Sequence, residues 1–312
     1  MIRRRLVTSP AIAIVLIGGL ALFTNFTAKV SGQGLQPVFY DLPADSHFVF
    51  GVNVQAFLAS PVYSQFAQQH AQEITAHLNE FIAATGVNPQ TDIPYVVGAA
   101  RQKDSGVVVA SGTFDTGRIT NFAQSKGATA QAFQGVTILM PPETHGSQKG
   151  VALISSSEIA AGDLESLQAV IASSQLRAAG GKPNSTPLLG KINPREMLSF
   201  AGDPSGLSIP AGASQVQALS AVQSFNGNLS VGTAVTGQVN VIAKDETTAN
   251  QLAKFAQGLM AMASLANKPD LAQLVNGLTI TQNGAELDVT LNIPVSALEK
   301  VHALHRLNSR SK

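Results

Sequence analysis

The chain has no cysteine and no tryptophan, only three tyrosines, and charge at just 12% of its 312 positions. Without cysteine there are no disulfides, no thiolate metal sites, no cysteine nucleophile and no lipid-modified cysteine anchor. The shortage of Trp and Tyr removes the stacking platforms on which carbohydrates and single-stranded nucleic acids are usually held. A basic field is missing too. The formal charge is +1, but Arg3, Arg4, Arg5 and Lys29 all precede the first acidic residue, Asp41. Without those four, 16 basic residues face 19 acidic ones, a net of −3. That balance excludes nucleic acid as the expected partner.

What is present begins with the N-terminus. The three arginines abut an apolar run from Ala11 to Phe23, broken only by Gly18–Gly19. This is the layout of an export signal. Leu6 to Phe26 is also long enough, at about 20 residues, for a helix that crosses a bilayer. A clean small-residue cleavage site is missing around Thr27–Gly32, which favours retention as an anchor. Residues 1–30 therefore read as a signal peptide or membrane anchor, with the arginines left on the cytoplasmic side and the rest translocated. A tether over 31–45 follows, holding Gly32, Gly34, Pro37 and Pro43.

Beyond it the pattern is α+β. His47–Val54 has a strand's β-branched and aromatic content. A helical spacing of Leu58, Val62, Phe66, Ile74, Leu78, Phe81 and Ile82 predicts a helix from about Gln55 to Thr85. Pro61 falls in the first turn of its main section and Gly86 ends it. Tyr95–Ala100 and Gly106–Ser111 read as a hairpin, followed by a helix behind Asp115, the run Gln134-Gly-Val-Thr-Ile138, the strand Gly150–Ile154 and a helix behind Asp163. The second half replays this order. Asn228–Val231 and Gln238–Ile242 pair, a helix follows Asp245, and Asn276-Gly-Leu-Thr-Ile280 precedes a strand at Glu286–Leu291 and a helix from Val295. The recurrent order predicts a duplication of two-layer antiparallel sheet/helix units, of split βαβ, ferredoxin-like character. The expected bounds are 46–176 for the first repeat, 177–214 for a connecting segment with a candidate strand at Met197–Ala201, 215–306 for the second repeat, and 307–312 for a basic tail. The two units share one sheet or stand face to face; the pattern does not choose.

Candidate chemistry is sparse. His70, Glu73 and His77, with Glu80 beyond them, are spaced three, four and three, so two imidazoles and a carboxylate share a helix face and are the candidate metal ligands. The same spacing also describes the polar edge of an amphipathic helix. Asp115, Asp163, Asp245 and Asp270 stand where helix-capping residues stand. Glu286 and Asp288 alternate with Leu287 and Val289, as on an exposed strand face. Gly180-Gly-Lys-Pro has proline where a phosphate loop needs Ser or Thr. His302, His305, Lys300, Arg306, Arg310 and Lys312 make a basic C-terminus, read as a solvated tail or as a contact for anionic lipid. The helix from Thr247 to Ala266 carries Leu259, Met260, Met262 and Leu265. Its stripe of Leu252, Phe255, Leu259 and Met262 reads either as core or as the lining of an apolar ligand site.

Leu42-Pro-Ala-Asp-Ser-His-Phe-Val-Phe-Gly-Val-Asn-Val54, followed by Phe57-Leu-Ala-Ser-Pro-Val-Tyr63, resembles the opening of uncharacterised exported proteins of Acidobacteria and related phyla. The resemblance implies an envelope setting and brings no activity, cofactor or catalytic residue. The expectation is a non-enzymatic envelope binding or scaffold protein, anchored in the inner membrane with its domain outside the cytoplasm, or periplasmic if cleaved. Its partners are the membrane, through the N-terminal helix, and a protein or lipid. The alternatives are a carrier of an apolar ligand such as a lipid, and an enzyme or metal-binding protein with an unrecognised site.

Overall fold

A computed structural model describes residues 41–61, 63–64, 71–101, 105–142, 149–204, 221–265 and 269–297. The N-terminal segment, His70 and the basic C-terminus lie outside the described residues. Among the described residues no helix is long and apolar enough to cross a membrane.

The first half holds β1 (Phe48–Asn53), α1 (Val54–Leu58), α2 (Ala71–Thr85), α3 (Pro89–Asp92), β2 (Tyr95–Ala100), β3 (Gly106–Ser111), α4 (Thr116–Ser125), β4 (Thr129–Phe133), β5 (Val136–Met140), β6 (Lys149–Ser155), β7 (Glu158–Asp163) and α5 (Leu164–Ala178). A 3-10 turn at Pro187–Lys191 leads to β8 (Leu198–Gly202), β9 (Val222–Val231), β10 (Ala234–Ala243), α6 (Glu246–Leu265), α7 (Pro269–Asn276), β11 (Leu278–Asn283) and β12 (Glu286–Pro294).

The twelve strands of the described residues form one antiparallel sheet in the order β11-β12-β10-β9-β8-β1-β2-β3-β7-β6-β5-β4. The fold is α+β, and the sheet is continuous rather than two sheets face to face. β1 and β8 meet at its centre, with Phe48 opposite Gly202 and Val52 opposite Leu198. Outward from that seam the strands run β1-β2-β3-β7-β6 on one side and β8-β9-β10-β12-β11 on the other, the same order of connection twice. The first side alone continues, through β5 and β4.

The β2–β3 hairpin lies where the sequence pattern puts it, because Val-rich runs flank a polar turn. Gln134 (φ 47°) and Gly135 (φ 80°) form the two-residue turn between β4 and β5, and positive φ at both positions suits a hairpin's twist. The helix expected from Gln55 to Thr85 is interrupted. α1 stops at Leu58, and Ser60 then caps a new start at Pro61, its Oγ accepting from Tyr63 N–H at 3.2 Å. Strands β4 and β7 carry no clear sequence signal and were not expected.

Coverage of the sheet differs between its halves. In the first half one face packs Val49, Val97, Val109, Ile138 and Ala152 under α5. The opposite face packs Val96, Ala110, Val151 and Ile159 under α4. This half is therefore three layers deep, where two were expected, because β2, β3, β5, β6 and β7 are apolar on both faces. The second half has two layers. Ala249, Leu252 and Ala253 of α6 pack on Ala243 and Leu287, while Thr236, Gln238, Thr290 and Asn292 of the reverse face are exposed.

Candidate functional site

The most distinctive surface lies on the shared face between the α4 layer and α6. Cross-strand register puts a phenylalanine opposite a glycine four times over the central strands. Phe50 faces Gly98, Phe48 and Phe225 both face Gly202, and Phe200 faces Gly227. The glycines are a steric requirement. A Cβ at Gly202 would sit 2.8 Å from the Phe225 ring and 3.0 Å from Phe48, one at Gly227 would sit 2.8 Å from Phe200, and one at Gly98 would run into Phe50. The rings thus lie down over bare backbone, the arrangement by which aromatic side chains compensate for glycine in strands.

The four rings touch as a group. Phe48 lies 6.3, 6.4 and 6.2 Å from Phe50, Phe200 and Phe225, and Phe200 lies 6.3 Å from Phe225. These are normal distances for tilted aromatic pairs. None of the four is buried, and neither are Val52, Leu198 and Leu229 beside them. The centre of this face is an apolar floor still half open.

Beside it, α6 departs from expectation. Of the stripe Leu252, Phe255, Leu259 and Met262, only Leu252 is buried, while Phe255 is 43%, Leu259 46% and Met262 62% exposed. The helix seats itself through small residues instead, Ala249 and Ala253 flanking Leu252.

The second notable cluster is ionic, with both of its carboxyls buried. Asp41 (0% exposed) and Glu158 (5%) both bind Arg177 of α5. Arg177 Nη2 donates to Glu158 Oε2 at 2.9 Å and to Asp41 Oδ2, and its Nε reaches Asp41 Oδ1 at 3.3 Å. Burial, and then the neighbouring Asp41 carboxylate, push the Glu158 carboxyl up to about 7 against the pull of Arg177. Glu158 Oε1 is buried without a hydrogen-bond partner. The cluster fastens the point where the chain enters the domain. Leu42 is buried in the core, Pro43 bridges to Ser185, and Asp45 takes Arg101 Nε at 2.8 Å and Nη2 at 2.7 Å. The Leu-Pro-Ala-Asp lead is therefore a structural latch.

The remaining sequence candidates separate cleanly. Asp115, Asp163 and Asp245 cap helices, accepting from Arg118, Ser166 and Thr248 N–H at 3.0, 3.0 and 2.7 Å. Asp163 also accepts from Ser105 Oγ and Gly106 N–H; burial opposes its ionisation, but these hydrogen bonds prevail and hold its carboxyl below the usual range. Asp270 stands within the first turn of α7. Asp288 accepts from Asn240 Nδ2 at 3.1 Å on the polar face. Glu73 and His77 are on α2, but their side chains, like the whole of His70, lie outside the described residues. Among the described residues no group of three or more His, Asp or Glu is placed to hold a metal ion.

No family model and no curated protein matches the chain. A solved structure titled "Structure of crystal form I of TP0453" is similar at a TM-score of 0.49 and 11% identity, over 87% of this chain and 98% of that one. A likeness at that level bears on neither the site nor its use.

Proposed function

We propose that this protein is a non-enzymatic envelope binding protein, held at a membrane by its N-terminal apolar segment and working through the apolar floor of its sheet. The single observation that carries this reading is the half-open cluster of Phe48, Phe50, Phe200 and Phe225. Contiguous apolar side chains left only partly buried on the face of a folded domain offer a place of contact. The polar groups described above are engaged in caps, the latch or the solvent face, which leaves the floor as the best-supported working surface.

A second reading, a carrier of an apolar ligand such as a lipid, is favoured by one further observation: beyond Leu252, the α6 stripe of Phe255, Leu259 and Met262 is exposed rather than packed as core. Adaptable Met and Leu side chains suit variable apolar ligands. The repeated strand order on either side of the β1–β8 seam supports reading the chain as a duplicated unit, with β1 and β8 as equivalent first strands. Under that reading the floor is assembled from both copies at their junction.

Titration of the purified chain with an environment-sensitive apolar fluorophore tests the floor. Binding is expected, and Phe200→Ser with Phe225→Ser should abolish it while far-ultraviolet circular dichroism is retained. Probe binding indifferent to both substitutions, or robust turnover in a screen of hydrolase substrates, overturns the reading.

A further inference from the structure

We infer that the exposed flank of α6 docks on a lipid bilayer surface, Phe255, Leu259 and Met262 entering its interfacial region. The inference rests on the envelope reading above and adds a partner and a contact to it.

The helix has three faces. Ala249, Leu252 and Ala253 point at the sheet, and Asn250, Lys254 and Gln257 point into water. Phe255, Leu259 and Met262, spaced four and three, occupy the flank between them and are 43%, 46% and 62% exposed. Residues at that spacing form a continuous ridge on one side of a helix. A 20-residue helix with an apolar ridge, lying on a folded domain, matches the geometry of an interfacial helix, whose apolar side sinks about 5–10 Å into the headgroup–acyl boundary. The ridge lacks the Trp, Tyr and Arg that anchor protein–protein contacts. Phe, Leu and Met suit a fluid apolar phase instead.

The chain's own connectivity brings a bilayer within reach of this flank. Residues 27–40 separate the bilayer-length segment Leu6–Phe26 from Asp41, where the latch begins, and fully extended they reach about 50 Å. Asp41 shares Arg177 with Glu158 at the start of β7, and α6 packs over β10, β12 and β11. From β7 to β12 is seven strand spacings, about 34 Å across the sheet. Asp41 sits with Leu42 on the α5 side and α6 on the other, so the tether must also clear roughly 10 Å for each layer it passes. Taken at right angles, about 34 Å across and about 20 Å for two layers make a separation of about 40 Å, inside the tether's reach of about 50 Å. An N-terminal segment in a bilayer thus leaves α6 within range of that same bilayer.

The absence of native cysteine makes the test clean. Full-length Met262→Cys and Gln257→Cys proteins, each carrying one environment-sensitive fluorophore, are reconstituted in phosphatidylcholine–phosphatidylglycerol vesicles with and without a lipid-borne quencher. The label at 262 is expected to shift to the blue and to be quenched severalfold more than the label at 257, with Leu259→Cys as a second reporter should Met262→Cys perturb folding. Equal quenching at both positions on vesicle-bound protein overturns the inference and leaves the envelope reading standing. Failure of the chain to float with vesicles overturns both. A shift at 262 produced by a soluble apolar probe, with no response to vesicles, overturns the bilayer contact and favours the carrier.

Discussion

Arg177 sits between two carboxylates that have almost no access to water, and its removal leaves both without a counter-ion. Breaking a buried ion pair from one side costs several kcal/mol, because the surviving charge stays desolvated. Arg177→Met should therefore lower unfolding free energy by about 3 kcal/mol in urea titration, the partial exposure of the guanidinium keeping the loss from being larger. A loss under about 0.5 kcal/mol, the range of ordinary surface changes, would show that the latch does not hold the domain. Glu158 gives the same cluster a pH dependence of definite sign. Its folded-state value, about 7, lies above the ordinary carboxylate value of 4.5. The folded protein thus keeps a proton that the unfolded chain releases between those values. The stabilisation is complete below about 4.5 and is lost as pH rises through 7, amounting to at most roughly 3 kcal/mol. Thermal unfolding of the wild type measured from pH 5 to 8 should show that decline, and Glu158→Gln, neutral throughout, should flatten it. None of this was legible in the sequence, since Asp41, Glu158 and Arg177 are far apart in the chain and meet only through β7 and α5.

At the scale of elements, the readable and unreadable parts divide by where the signal resides. The β2–β3 hairpin and the caps at Asp115, Asp163 and Asp245 were legible because turn and cap chemistry is local. β7, Glu-Ile-Ala-Ala-Gly-Asp, was not: it is buried by its neighbours through small residues that favour no structure by themselves. β4 was missed for the opposite reason, as an edge strand exposed along nearly its whole length. The apolar floor depends on register between β1, β2, β8 and β9, so Phe50 reveals nothing until Gly98 is seen opposite it. Gly98→Ala tests that dependence. The new methyl must displace the Phe50 ring, with an expected loss of about 1–2 kcal/mol from overpacking and weaker binding of an apolar probe. For α6, the sequence identified the apolar residues but could not say which of them face the sheet. Leu252→Ala should cost about 2 kcal/mol in urea unfolding, whereas Leu259→Gln with Met262→Gln should stay within about 0.5 kcal/mol of wild type. Equal costs for the two changes would mean that the exposed flank is packed in solution.

The molecule as a whole is a single sheet with unequal support along its length. Among the described residues, fifteen buried residues, Ala201 of β8 included, form the core on one face of the first half and fourteen on the other, whereas the core under α6 has five. The halves are joined by the β1–β8 seam, a register of five residue pairs. Backbone hydrogen bonding is no weaker in the second half, since β10 pairs with β12 over nine residues. The difference lies in apolar burial, which sets how much free energy a segment must give up to open. Local opening should therefore begin in β9–β12 and α6 while β2, β3 and β7 remain closed. Native-state hydrogen exchange followed by mass spectrometry should find amides of β10 and β12 exchanging through a lower-energy opening than amides of β3 and β7. That order also suits the proposed membrane contact, because a half supported by few buried residues gains most from a surface that covers Phe255, Leu259 and Met262. Bilayer association should accordingly slow exchange in α6, β10 and β12 more than in β3 and β7. Uniform protection across all twelve strands in free protein would instead mean that the seam couples the halves into one cooperative unit, and that α6 needs no second surface to stay in place.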